Sequence, residues 1–144
     1  LLVVIAIIGV LAAIGMPMYQ GYQANAKTQA TAESFANAKS FVAAEITKCQ
    51  SGVNMTLLPG STTQIVDCTS TASRTPTNYA LHFKTYFEDV KSGFKNPHNP
   101  AVAFYSATTT KGGLTITAGT NSITLGTDTG ATTNNILSAE IVIE

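Results

Sequence analysis

Hydropathy splits the chain into two unequal regimes. From Leu1 to Tyr19 the run LLVVIAIIGVLAAIGMPMY carries no charge, and the first charged residue is Lys27. As a helix, Leu1 to Met18 would be about 27 Å long at 1.5 Å per residue, close to the roughly 30 Å hydrocarbon layer of a bilayer. A core helix of a soluble fold would show a polar face, and this run shows none before Tyr19. A secretory signal peptide is the rival reading. Such peptides combine a basic region, a shorter apolar core and a small-residue cleavage site, whereas this run flows directly into a helical pattern. A retained anchor is therefore expected. Gly9, Gly15 and Pro17 interrupt it. Pro17 cannot donate to the carbonyl of Ala13 and its ring crowds that carbonyl, Met16 is pushed out of the α region, and each glycine costs about 1 kcal/mol relative to Ala. The segment from Gly9 to Pro17 is expected to be the part of the helix that loosens.

From Gln20 to Gln50 the pattern changes to amphipathic helix. Good helix formers dominate, and Thr28, Thr31, Phe35, Ala38, Val42 and Ile46 recur at spacings of three and four. Ser51-Gly52 supplies the stop. Residues 1–50 then form one helical unit, half of which must protrude from a domain of this size.

Residues 51–100 read as a loop region of the head and 101–144 as sheet. Pro59-Gly60 marks a turn. Tyr79 to Phe83 alternates and reads as a short strand, Thr85 to Val90 as one helical turn, and the prolines of Lys95 to Pro100 exclude regular structure. Strands are expected at Val102–Tyr105, Leu114–Thr117, Ile123–Leu125 and Glu140–Ile143. Lys111-Gly112-Gly113 and Gly119-Thr120-Asn121 read as hairpin turns, and Ala131 to Asn135 as a further loop. Leu114, Ile116, Ile123 and Leu125 alternate with Thr, which gives one apolar face to lie on the helical stripe. The expected fold is α+β: a long protruding N-terminal helix packed under a small antiparallel sheet.

Composition narrows the function. The chain has 144 residues, a formal net charge of zero and 11% charged residues. Basic nucleic-acid binders and acidic tails do not have this balance, so no nucleic-acid partner is expected. Cys49 and Cys68 fit a single disulfide in an oxidising compartment, with two separate buried thiols as the alternative. Asn54-Met55-Thr56 is a sequon that carries little weight by itself.

The opening segment, LLVVIAIIGVLAAIGMPMYQGYQ, resembles the N-terminus of type IV pilins, bacterial filament subunits. In that family the mature chain starts with a methylated aromatic residue, and FTLIE-like residues run directly into such a stretch. The resemblance implies that a leader and five mature residues ending in glutamate precede Leu1. It also implies the ladle fold and a helical homopolymer. The filament core would be made by Leu1, Leu2, Val3, Val4, Ile5, Ile7, Ile8, Val10, Leu11 and Ile14, with Gly9, Gly15 and Pro17 loosening the helix. The subunit would sit in the bacterial inner membrane, engage an assembly machinery and end in an extracellular pilus. Motility, adhesion, DNA uptake and phage reception use similar subunits. The alternative is a pseudopilin of type II secretion, or another membrane-anchored periplasmic module.

Catalytic chemistry has little to stand on. G-x-S-x-G, Walker and H-E-x-x-H patterns are missing, so neither an enzyme nor a cofactor is expected. Glu88-Asp89 is an adjacent pair whose side chains diverge on any regular element. Pseudopilins often bind calcium near the C-terminus, and here Asp128 with Thr127, Thr129 and Asn134 or Asn135 offers loop oxygens. One carboxylate is thin for a cation that takes six to eight oxygens, so no metal is expected. Lys84, Lys91, Lys95 and Lys111, interspersed with Glu88 and Asp89, read as solvated surface. Tyr19, Tyr22, Phe35 and Phe41 read as packing residues, not as an electron path.

Overall fold

The computed structural model describes residues 1–57, 64–133 and 135–144. One α-helix, α1, runs from Leu2 to Gln50, about 73 Å at the usual rise. Its second half carries the expected stripe. Thr31, Phe35, Ala38, Val42, Ile46 and Cys49 are buried, each three or four residues from the last, so a single face meets the head. Past Gln50 the backbone turns at Gly52, whose φ is +86°, and the N–H of Val53 returns to the carbonyl of Lys48.

The helix does not break at Pro17. Met16 and Pro17 both lie within α1, contrary to the local backbone preference expected before a proline. Proline removes one hydrogen bond and crowds one carbonyl, while the helical turns on both sides keep their ladders. In the single chain that local penalty is absorbed.

The head contains two short strands, β1 (Met55–Leu57) and β2 (Gln64–Val66), paired antiparallel. A second helix follows, α2 (Pro76–Glu88). Then comes a three-stranded antiparallel sheet of β3 (Leu114–Ala118), β4 (Ser122–Asp128) and β5 (Ile136–Val142), in that order. The layout is α+β, with the helix under a small sheet as expected.

The region 51–100 is more structured than its loop-like composition implied. Tyr79 to Phe83 is helix, not strand. Thr75 caps α2 by accepting from the N–H of Asn78 at 3.3 Å, and Pro76 occupies the first turn, where its missing donor costs nothing. Tyr79, Ala80, Phe83, Tyr86 and Phe87 are buried, a helical spacing that a five-residue window hid as alternation. Thr85 to Glu88 extends the same helix, and a short 3-10 turn spans Val90–Ser92. The Pro59-Gly60 turn falls outside the described residues.

Val102–Tyr105 is not a regular strand, and Lys111-Gly112-Gly113 is not a hairpin turn. Isolated bridges join Lys95 to Ala103 (antiparallel), Tyr105 to Leu114 (parallel) and Lys111 to Asp128 (parallel). Phe104 is fully buried, and its carbonyl accepts from the N–H of Leu114 at 2.7 Å. Parallel bridges at Tyr105 and at Lys111 replace the antiparallel return of a hairpin, and the prolines at 97 and 100 prevent a longer ladder. The sheet therefore starts at Leu114, not near residue 101. The Gly119–Asn121 turn stands, residues 131–133 and 135 lie outside the strands, and β4 and β5 are longer than expected.

Leu114, Ile116, Ile123 and Leu125 are buried together with the α1 stripe and the α2 aromatics. Six aromatic rings interlock there: Phe41, Phe83, Tyr86, Phe87, Phe94 and Phe104, with Phe41–Tyr86 stacked at 4.9 Å and Phe94–Phe104 at 5.6 Å. This cluster joins α1 to α2 and to the segment before β3. Replacing Phe87 by Ala should lower head stability by about 3–5 kcal/mol. Chemical denaturation of the full chain in detergent, followed by near-UV circular dichroism, measures it.

Candidate functional site

Two features of the molecule are candidates for function: the apolar half of α1, and the seam where α1 enters the head.

The first is a surface with no partner within the chain. Leu1, Leu2, Val3, Val4, Ile5, Ile7, Ile8, Val10, Leu11 and Ile14 are all exposed, from 54% at Ile7 to 97% at Leu1. Gly9 and Gly15 have open space where a side chain would stand. By length and composition this helix can cross a membrane, and none of its apolar window is buried in the molecule. Large contiguous apolar surfaces of this kind are interaction surfaces. The structure places every residue of the expected core-forming set on it.

The head is tied to the end of α1 by chemistry as well as packing. Cys49 and Cys68 form a disulfide with Cα atoms 5.1 Å apart. Around it, the N–H of Cys68 donates to Asn54 Oδ1 at 2.9 Å, and Arg74 Nε donates to the Cys68 carbonyl at 2.7 Å. The buried Tyr79 hydroxyl lies 3.2 Å from Cys49 Sγ, and burial holds that phenol above its ordinary pKa. The sequon residue Asn54 thus uses its side-chain oxygen to hold the Cys68 backbone.

The second feature is a cleft of about 310 Å³ lined by Gln20, Gln23, Ala24 and Lys27 of α1 and by His98, Lys111 and Gly130 of the head. Its head wall is built from side-chain-to-backbone bonds. Asn96, buried, donates to the Lys111 carbonyl at 3.0 Å and accepts from the N–H groups of His98 and Asn99. His98 Nε2 donates to the Thr129 carbonyl at 2.9 Å. Its ring lies over Gly130, where a Cβ would stand 2.7 Å from Cε1. Gly112, at φ +73°, passes so close to the Asn96 amide that a side chain would collide with it.

Asp128 does not gather the oxygens proposed around it. It accepts from the N–H of Gly130 at 2.7 Å. Thr127 is buried on the inner face, so alternation directs Asp128 to the opposite side. The Thr127 hydroxyl is buried without a hydrogen-bond partner, and Asn134 lies outside the described residues. Among the described residues no three His, Cys, Asp or Glu side chains converge as a metal site would require. Lys27 of α1 and Lys111 of the head both line the cleft. That pairing had no sequence signal, since residues far apart in the chain meet only because the head folds back onto α1.

Compared with protein-family models, curated proteins and solved structures, the chain matches none of them.

Reducing the disulfide, or replacing Cys49 and Cys68 together by Ser, should cost the head about 3 kcal/mol, read as a lower denaturation midpoint in detergent. His82 gives a pH signature. Its Nδ1 sits 3.1 Å from Gln64 Oε1, and burial holds its pKa below the ordinary 6.5. The unfolded chain then binds the proton more readily than the folded one. Stability is full above about pH 6.5 and declines as pH falls through the folded value. Thermal scans between pH 7.5 and 5 should show this decline, and His82→Gln should flatten it.

Proposed function

We propose that the chain is a structural subunit, of the type IV pilin kind, that polymerises through its apolar N-terminal helix. The carrying observation is that the first half of α1 is apolar on every side and buried against nothing in its own chain. Each Val, Leu or Ile of the run stabilises whatever environment removes it from water by about 1.5–3 kcal/mol. Summed over the run this is tens of kcal/mol, so the segment does not remain in water. Before assembly the inner-membrane bilayer covers it, and in the filament identical segments do. Gly9, Ala12, Ala13 and Gly15 let neighbouring helices approach closely.

The same reading assigns a role to Pro17 and the glycines. Within lipid a continuous helix satisfies the backbone. In the filament, groups freed between Gly9 and Pro17 find partners on neighbouring copies, and the subunit lengthens there. The head rides outside as the surface of an extracellular pilus. Its disulfide suits that oxidising compartment, and assembly machinery draws the subunit from the membrane.

Fibres sheared from the surface of cells that make this chain test the reading. Mass spectrometry should find it as the major component, beginning with a methylated aromatic residue followed by four residues ending in glutamate, directly before Leu1. Ile8→Lys, which puts a charge in the apolar run at a cost of about 2.5–3.5 kcal/mol at a bilayer centre, should abolish fibres while leaving the near-UV spectrum of the head unchanged. Fibres lacking the chain, or undiminished by Ile8→Lys, would refute it.

A further inference from the structure

We propose that the cleft between α1 and the base of the head holds the phosphate of an anionic glycerophospholipid while the subunit waits in the bilayer. The proposal rests on the anchor reading above and adds a ligand to it.

Position is the first argument. The apolar run ends at Tyr19, and the cleft is lined by Gln20, Gln23, Ala24 and Lys27, the next turns of the same helix. These residues span about 10 Å of helix beyond the hydrocarbon boundary. A headgroup layer is about 5–8 Å thick on each side. Tyr19 and Tyr22, both about two-thirds exposed, stand at the same level, where amphipathic aromatic rings mark the membrane–water interface.

Chemistry is the second. Two lysines line the cleft, Lys27 from α1 and Lys111 from the head, and Gln20 and Gln23 add residues with amide side chains. Among the described residues neither lysine has a carboxylate within ion-pair distance; the ion pair found there joins Lys48 to Glu45. The nearest acid in sequence to this wall, Asp128, accepts from the N–H of Gly130. His98 has Nε2 committed to the Thr129 carbonyl, so it shapes the wall. The concavity thus offers donors and positive charge at the depth where phosphates lie. A lipid with net negative charge fits it better than a zwitterionic one, whose choline carries a further positive charge into a space already lined by two lysines. Lysines facing an anionic leaflet each strengthen association by about five-fold.

The structural role is a depth gauge. The cleft is half helix and half head, so a phosphate bridging Lys27 and Lys111 fixes how far the head stands above the leaflet.

The test uses the full chain reconstituted in nanodiscs of phosphatidylcholine with one-fifth phosphatidylglycerol, and native mass spectrometry of the lipids that stay bound. Phosphatidylglycerol should be retained well beyond its share of the bilayer. The pair Lys27→Gln and Lys111→Gln should reduce that retention roughly twenty-fold, Lys27→Arg with Lys111→Arg should preserve it, and Lys84→Gln with Lys91→Gln should leave it unchanged. Retention in proportion to lipid abundance, or undiminished in the Gln pair, overturns the site while the anchor reading stands. Displacement of the lipid by millimolar inorganic phosphate overturns the lipid assignment in favour of a free anion. Unchanged lipid retention with loss of contact between copies would assign the lysines to the filament. A chain that does not incorporate into the nanodisc overturns both readings.

Discussion

The structure depends on one helix being held firmly at one end only. Between Thr31 and Cys49 a single face of α1 lies in the core, closed by the disulfide at its last turn. Up to Lys27 every residue of the same helix except half-buried Ala12 is exposed. Every consequence for function follows from that asymmetry. The buried half fixes the direction of the bare half relative to the head, so any copy presents its apolar segment in the same way. Uniform presentation is what a helical polymer requires, because each subunit must repeat the contacts of the last.

The anchoring of the buried half is distributed over different kinds of interaction. The aromatic cluster around Phe41 and Phe87 joins α1 to α2, the inner face of β4 lies against the same core, and Arg74 and Asn54 brace the disulfide loop. Few of these depend on charge, in keeping with a chain that has 11% charged residues. Surface ion pairs contribute little in any case. The head is therefore held by packing, one covalent link and directed hydrogen bonds, which change little with salt. At the seam, the Asn96–His98 network shapes a concave wall without a regular element. Lys111 lines the cleft from that wall.

Much of this was legible in the residues, and the failures share a cause. The stripe from Thr31 to Ile46 announced the buried face because helical periodicity persists over many turns. Leu114, Ile116, Ile123 and Leu125 announced the sheet for the same reason, and two cysteines left one obvious pairing. Tyr79 to Phe83 misled because five residues are too few to separate a period of two from 3.6. Thr75-Pro76, a capping residue followed by a favoured first-turn proline, was the stronger signal and marked the true start of α2. Val102 to Tyr105 looked like a strand because its residues are apolar, but Phe104 is apolar to fill the core beside Phe94. Pro17 illustrates the limit of local rules, since a helix long on both sides tolerates it. The cleft was invisible because Lys27 and Lys111 belong to different elements.

The central claim is that one apolar segment exchanges lipid for its own copies. Electron cryo-microscopy of sheared fibres tests it most directly. The account predicts the Leu1–Tyr19 segments packed against each other along the fibre axis, heads outward, with the backbone between Gly9 and Pro17 departing from the α-helix that the single chain shows. Fibres joined through their heads, with these segments unpaired, would contradict it.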